Sequence, residues 1–301
     1  MSFKNLTKTF RYVNENGDTL TFEYDFGFVI NKPEGIDTVA VSHSEAQGIN
    51  QVGSTFQSSN VQSRPVTING ILVGDFQVEN KTRLLSVIRP DLSAKLYADD
   101  YYLEVRPTAT PSIEPKPSFS RFQFSLLAAY PYWRKDDSSA IAVRSIQKAF
   151  RLAHIDRTDP DNPIRVPEWY INDPNKYRFG EIVQSLFVTV TNAGQVPVPY
   201  TVTFTATDDV VNPKLIEVAT NEFLLLNKSM VAGEKVVVEI THERTFVNSS
   251  VDGECRGALD LGSSFYRLKV GDNVIKPEAT SGRSALQIDI AFATEIVGVA
   301  V

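Results

Sequence analysis

A chain of 301 residues that is 42% hydrophobic and 22% charged has the composition of a soluble globular protein and room for about two domains. Its net charge of −6 opposes the basic surface of a general nucleic-acid binder. No stretch approaches the roughly 18 consecutive apolar residues of a membrane span, and residues 1–10 lack the apolar core of a signal peptide, so a soluble cytoplasmic product is expected.

The lone cysteine, Cys255, excludes internal disulfides and any cysteine-based zinc site. Charge is unevenly spread: residues 1–134 carry 13 Lys and Arg against 14 Asp and Glu, a net of −1, and the remainder carries 17 against 22, a net of −5. A near-neutral first half has little self-repulsion to oppose burial in an assembly.

In chain order, Arg11–Val13 and Thr19–Asp25 read as a hairpin turned by Asn16-Gly17-Asp18, with Leu20, Phe22 and Tyr24 on the buried side and Phe26 continuing the set. Shorter strands are expected at Thr38–Ser42, Ser54–Ser58 and Val66–Val73, the last interrupted by Gly70 as at a bulge or close approach. Val78, Leu84, Leu85 and Ile88 recur at near-helical spacing before Pro90, which predicts one short helix on a sheet, capped by Asp75 or Asn80. Strands follow around Lys95–Tyr97 and Tyr101–Val105. Four prolines between Pro107 and Pro117 exclude a central strand and predict a stiff projecting loop.

From Ser118 the alternation of Phe122, Phe124 and Leu126 with Arg121, Gln123 and Ser125 makes a half-buried strand. It runs into Tyr130-Pro131-Tyr132-Trp133, where proline stops a ladder and the aromatics suit interdomain packing better than ligand stacking. This cluster is the expected seam: 1–134 forms one domain, 135–180 a linker or inserted arm, and 181–301 a second domain. Within the arm, Val143, Ile146, Phe150 and Ala153 mark an amphipathic helix with a solvated basic face, followed by an irregular run with Pro160, Pro163, Pro167 and Pro174. Trp169 and Tyr170 sit in that run as further candidates for an interdomain or partner contact.

Beyond residue 181, apolar or alternating runs at Ile182–Thr191, Tyr200–Thr207, Lys214–Val218, Glu222–Leu226, Lys235–Thr241 and Leu286–Ala293 are separated by turn residues. An all-β sandwich of about eight or nine strands is the expected result.

Nothing in the pattern specifies catalysis, a cofactor or a metal. His43, His154 and His242 have no second His or Cys at i+2 or i+4, and His242-Glu243 lies at a strand end where successive side chains diverge. No nucleophile elbow, phosphate loop or dinucleotide fingerprint occurs. The pairs Asp99-Asp100, Asp136-Asp137 and Asp208-Asp209 sit in turn contexts, and Cys255 has no identifiable base. No catalytic, metal or cofactor residues are assigned, and the chain reads as built to pack and to contact partners.

Four ordered features resemble the distal tail protein family of siphophages. They are the strand FQFSLLAAYPYWR closing on its aromatic cluster; Val190-Thr191-Asn192-Ala193-Gly194 with Val196-Pro197-Val198-Pro199; Ala232-Gly233-Glu234 leading into Val236–Ile240; and Ser264–Leu268 with Gly271-Asp272-Asn273-Val274-Ile275. The arm at 138–179 is longer than the family's usual link. The resemblance implies a mainly β fold: a tail-tube-like belt domain with one short helix, then a galectin-like or carbohydrate-module-like sandwich. It further implies a homo-hexameric ring at the virion tail tip, assembled in the bacterial cytoplasm, with the tail-tube protein, the tail-tip hub and receptor-binding or baseplate proteins as partners. DNA would pass through such a ring without specific binding, which suits a near-neutral domain because phosphate contacts are sticky. The alternative reading is a carbohydrate-binding sandwich stacking host glycans on Trp133, Trp169 or Tyr170.

Overall fold

The computed structural model describes residues 9–74, 77–143 and 187–300. The expected arm helix and its proline-rich continuation, including His154, Trp169 and Tyr170, lie outside the described residues, as does Asp75.

The first half contains β1 (Phe10–Asn14), β2 (Thr19–Phe22), β3 (Phe28–Ile30), β4 (Val41–Ala46), β5 (Thr55–Val61), β6 (Arg64–Leu72), α1 (Gln77–Val87), β7 (Ala94–Ala98), β8 (Tyr101–Pro107), β9 (Ser112–Pro115) and β10 (Ser120–Ala128). After β11 (Trp133–Val143) come β12 (Val188–Asn192), β13 (Thr201–Ala206), β14 (Val210–Val211), β15 (Lys214–Glu217), β16 (Phe223–Leu225) and β17 (Ser229–Met230). The chain closes with β18 (Lys235–Ile240), β19 (Thr245–Ser249), β20 (Gly253–Glu254), β21 (Gly271–Glu278) and β22 (Leu286–Ile296). The fold is mainly β, with α1 the single α-helix among the described residues.

Two apolar cores organise these strands. The first gathers Phe10, Leu20, Phe28, Ile68, Phe122, Phe124 and Trp133 with α1 residues Leu84 and Val87. Period-2 alternation supplies it: Phe122, Phe124 and Leu126 of β10 are buried, and β10 pairs with β6 over nine residues. Gly70 is required at that pairing because a Cβ would meet the Val29 carbonyl oxygen at 2.4 Å and the Phe122 ring at 3.1 Å. The second core lies between the sheet segment β22-β13-β18-β19-β20 and the sheet β12-β21-β15-β16, a five-on-four sandwich with β14-β17 as a small side ribbon.

Four sequence expectations change. The second hairpin strand stops at Phe22, and Tyr24–Phe26 forms a short 3₁₀ turn closed by Gly27 at φ 79°, which leaves Tyr24 74% and Phe26 50% exposed. In α1 the sheet selects Asn80, Leu84 and Val87 as the buried face, so Val78 and Leu85 point to solvent; Asn80 is not a cap but donates to the Phe26 carbonyl oxygen at 2.7 Å. Residues 112–115 of the proline-rich loop pair as edge strand β9 with β10, where proline's missing donor costs little. Residues 135–143, expected to begin the arm, continue β11.

That continuation joins the two halves. β11 pairs with β8 through Arg134↔Tyr102 and Lys135↔Tyr101, and with β22 from Trp133↔Ile296 to Val143↔Ile288. One hydrogen-bonded path therefore runs β2-β1-β7-β8-β11-β22-β13-β18-β19-β20 through both halves. A register shift between Arg134 and Ser138 places the Asp136-Asp137 pair in a bulge, where the strand can bend.

Candidate functional site

The segment from Tyr130 to Arg134 leaves β10 and starts the shared strand, so its side chains face both halves. Trp133 is fully buried, and its indole N–H donates to the Ile36 carbonyl oxygen at 3.0 Å. The same carbonyl accepts from the Arg64 guanidinium at 2.7 Å and from the Val299 amide at 3.1 Å. Arg64, 1% exposed, also donates to the Gly35 carbonyl at 3.1 Å and to that of Val297. One carbonyl thus ties β6, β11 and the segment after β22 together.

Burial pushes the Arg64 guanidinium down to about 10, with Asp37 and Tyr132 opposing that loss, so it stays cationic at neutral pH. Gly298 completes the knot, since a Cβ there would meet the Asp37 carbonyl oxygen at 2.5 Å.

Above the knot lies a polar cluster centred on Glu295, 1% exposed at the end of β22. Its carboxylate accepts from the Tyr130 hydroxyl, lies 3.1 Å from His242 Nε2 and sits 3.4 Å from Arg134 Nε. Arg134 reaches Glu104 at 3.1 Å and covers the Tyr130 ring at 4.7 Å. Tyr130 packs on the His242 ring with centroids 3.7 Å apart and meets Tyr132 edge-on at 5.5 Å. Burial, followed by the Glu295 hydrogen bond and charge, pushes the Tyr130 hydroxyl far above its ordinary range. Burial opposes the Arg134 charge, but the carboxylates of Glu104 and Glu295 outweigh it and raise its pKa.

A cleft of ≈ 870 Å³ opens beside this cluster, between Lys95, Glu104 and Arg106 on one wall and His242–Arg244 on the other. Its walls carry both charge signs. Among the described residues no group of three or more His, Cys, Asp or Glu side chains could hold a metal.

Of the residues singled out, Trp133 belongs to the first core, Tyr130 contacts His242 and Glu295 of the second half, and Tyr132 packs against Tyr130; Trp169 and Tyr170 fall outside the described residues. Trp133 has no exposed face on which a sugar could stack. Sequence reasoning missed Arg64, His242 and Glu295 as members of the junction, because their partners lie 233, 53 and 165 residues away along the chain. Of the other singled-out groups, His43 lies on an exposed strand against Phe56, and Asp208 accepts from the Asp209 amide at 2.8 Å. Burial raises the Cys255 thiol, which disfavours the reactive thiolate.

The turn residues singled out in the sandwich are buried anchors. Asn192, 1% exposed, donates to the Val196 and Leu268 carbonyls at 2.9 and 3.1 Å and accepts from the Gly194 amide at 2.9 Å. Gly194 in turn touches the Glu295 backbone, where a Cβ would come within 2.6 Å of the carbonyl oxygen. Asn273, 2% exposed, donates to the Val190, Lys269 and Gly271 carbonyls at 3.2, 2.8 and 3.1 Å.

Glu234 accepts from Ser249 and from the Val231 amide at 3.1 Å and pairs with Lys228 at 3.1 Å. Burial would raise its pKa, but these bonds outweigh it and hold the carboxyl below its ordinary 4.5. A depressed folded-state pKa stabilises the fold above the unfolded value, and this contribution is lost as pH falls through the folded one. Wild-type stability relative to Glu234→Gln is therefore expected to be greatest near neutrality and to fall below about pH 4.5. Urea midpoints of both proteins between pH 7 and pH 3 measure this, and a constant gap would remove Glu234 as a source of acid sensitivity.

Residues 193–293 match the model of the siphovirus-type tail component, C-terminal domain. No curated protein matches the sequence. Among solved structures, the SPP1 Dit (gp 19.1) protein, described as a paradigm of the hub adsorption apparatus in phages infecting Gram-positive bacteria, superposes with a TM-score of 0.66 at 12% identity, covering 95% of this chain and 98% of that one. A chain of the phage p2 baseplate in its activated conformation with Sr gives a TM-score of 0.50 at 9% identity, covering 98% of this chain and 100% of that one. At these identities the likeness is one of fold, and it runs through both halves in the same order.

Proposed function

We propose that this chain, a siphophage distal tail protein by its C-terminal family domain and its whole-chain fold, closes into a homo-hexameric ring joining the tail tube to the tail-tip hub. In this reading residues 1–134 form the ring around the DNA channel, the chain from the end of β11 to residue 180 an arm, and 181–301 an outward sandwich that anchors receptor-binding or baseplate proteins. The ring assembles in the host bacterial cytoplasm and resides at the virion tail tip. Its role is structural and needs no catalysis.

One observation carries the proposal: the fold of a solved hub protein covers 95% of the chain, and the match of residues 193–293 to the tail-component family model points the same way. The near-neutral first half, net −1 over residues 1–134, suits a wall along which DNA slides, because few phosphate contacts would have to break.

Mass measurement in solution and negative-stain imaging of tails test the reading. A six-fold ring is the expected result. A strict monomer at high concentration, together with no ring of this chain in any tail preparation, would overturn it.

A further inference from the structure

Strands β4 and β5 form a two-stranded ribbon that pairs with no other strand among the described residues, and every residue of both strands is exposed. Isolated two-stranded ribbons are marginal in water. Cross-strand pairing sorts this one into two faces: Val41↔Val61, His43↔Ser59 and Glu45↔Phe56 share one, while Ser42↔Asn60, Ser44↔Ser58 and Ala46↔Thr55 share the other. The first face carries Phe56 at 60% exposure and Val41 and Val61 at 46% each, with Glu45 its only formal charge. The ribbon is amphipathic, and among the described residues its apolar side packs on no other strand or helix.

The same half offers a second uncovered apolar surface. Val78, Lys81 and Leu85 fall at i, i+3 and i+7 of α1, and Val78 and Leu85 are 77% and 48% exposed. Lys81 is the charge within this stripe, opposite in sign to Glu45. Four residue steps along β4 span roughly 13 Å. Seven residues of α1 span roughly 10 Å. The two surfaces match in length, apolarity and charge.

We propose that the apolar face of the β4–β5 ribbon docks on the Val78–Leu85 stripe of a second copy of this chain, with Glu45 paired to Lys81. Protrusion and receiver are different surfaces, so the contact is head-to-tail and generates a ring when its rotation closes. The inference rests on the ring reading above and supplies its adhesive element.

The test uses the full chain with Cys255→Ser and two single-cysteine variants, Phe56→Cys and Leu85→Cys. Under mild oxidation a reducible dimer is expected on mixing the two and not from either alone, and the double-cysteine chain is expected to give a ladder reaching the ring's subunit number. Glu45→Lys and Lys81→Glu are each expected to weaken assembly at least tenfold and, combined, to restore it, with the melting temperature of the monomer unchanged. An intact ring without these cross-links overturns the docking and leaves the ring reading standing. So does a disulfide formed within one chain, or Phe56→Glu sparing the ring while abolishing binding of purified tail-tube protein. Chains that neither assemble in solution nor form rings in tails remove both.

Discussion

Replacing Trp133 with alanine is expected to cost about 3–5 kcal/mol, the usual range for deleting a fully buried large aromatic side chain. The indole fills the first core and bonds the Ile36 carbonyl, so the loss falls on the first half and on its hold over β22. The melting transition of that half is expected to move down and separate from that of the sandwich, whose core contains no part of Trp133. Proteolysis near Arg134–Asp137 should accelerate, because the bulge between Arg134 and Ser138 loses the anchor preceding it. Calorimetry and timed proteolysis with fragment mapping check both statements. Equal destabilisation of the two halves, with cleavage unchanged, would place the mechanical seam elsewhere.

The second large effect is expected from Arg64→Met, which keeps much of the side-chain bulk but withdraws donors from the Gly35, Ile36 and Val297 carbonyls. The Gly35 and Val297 carbonyls lose these bonds in partly buried surroundings, where an unmet acceptor costs at most about 1–3 kcal/mol, so a total loss of about 2–4 kcal/mol is the upper expectation. The Ile36 carbonyl keeps its Trp133 and Val299 donors, which limits the damage there. Hydrogen exchange at the Val299 amide should rise first, since Arg64 fixes the backbone two residues before it. Combining Arg64→Met with Trp133→Phe should be clearly non-additive, because both side chains act on one carbonyl. Additive denaturation free energies would refute a shared knot.

Much of the fold is legible in the residues because one buried face imposes period 2. β6, β10, β13, β18 and β22 all show it. The limits of β4 and β5 are only approximately legible, since neither strand buries a face that would mark where it starts and stops. β19 is hidden because Asn248 and Ser249 dilute its apolar residues, and Gly271-Asp272-Asn273, which reads as a turn into a strand, already belongs to β21. In α1 the spacing predicted a helix but not its orientation: which of Leu84 and Leu85 is buried depends on the sheet beneath.

The junction divides in the same way. Its aromatic half stood out as four consecutive residues, and Trp133 is fully buried in the first core. Its polar half did not, because Glu295 looks like any strand-end acid until Tyr130, Arg134 and His242 converge on it. The asparagines of the two turns were readable as turn formers. Their further work, satisfying carbonyls of neighbouring segments, needs the third dimension.

Strand β11 is held unequally on its two sides: β8 contributes two residue pairs, whereas β22 contributes eight. Under a load that pulls the sandwich away from the first half, the short ladder ruptures before the long one. The ladder then opens between Tyr101-Tyr102 and Arg134-Lys135, while Trp133 at the start of β11 stays anchored in the first core. The Arg134–Glu104 ion pair spans that opening. It would act as a latch between the two halves whose grip weakens with rising ionic strength, making their separation sensitive to salt as well as to force.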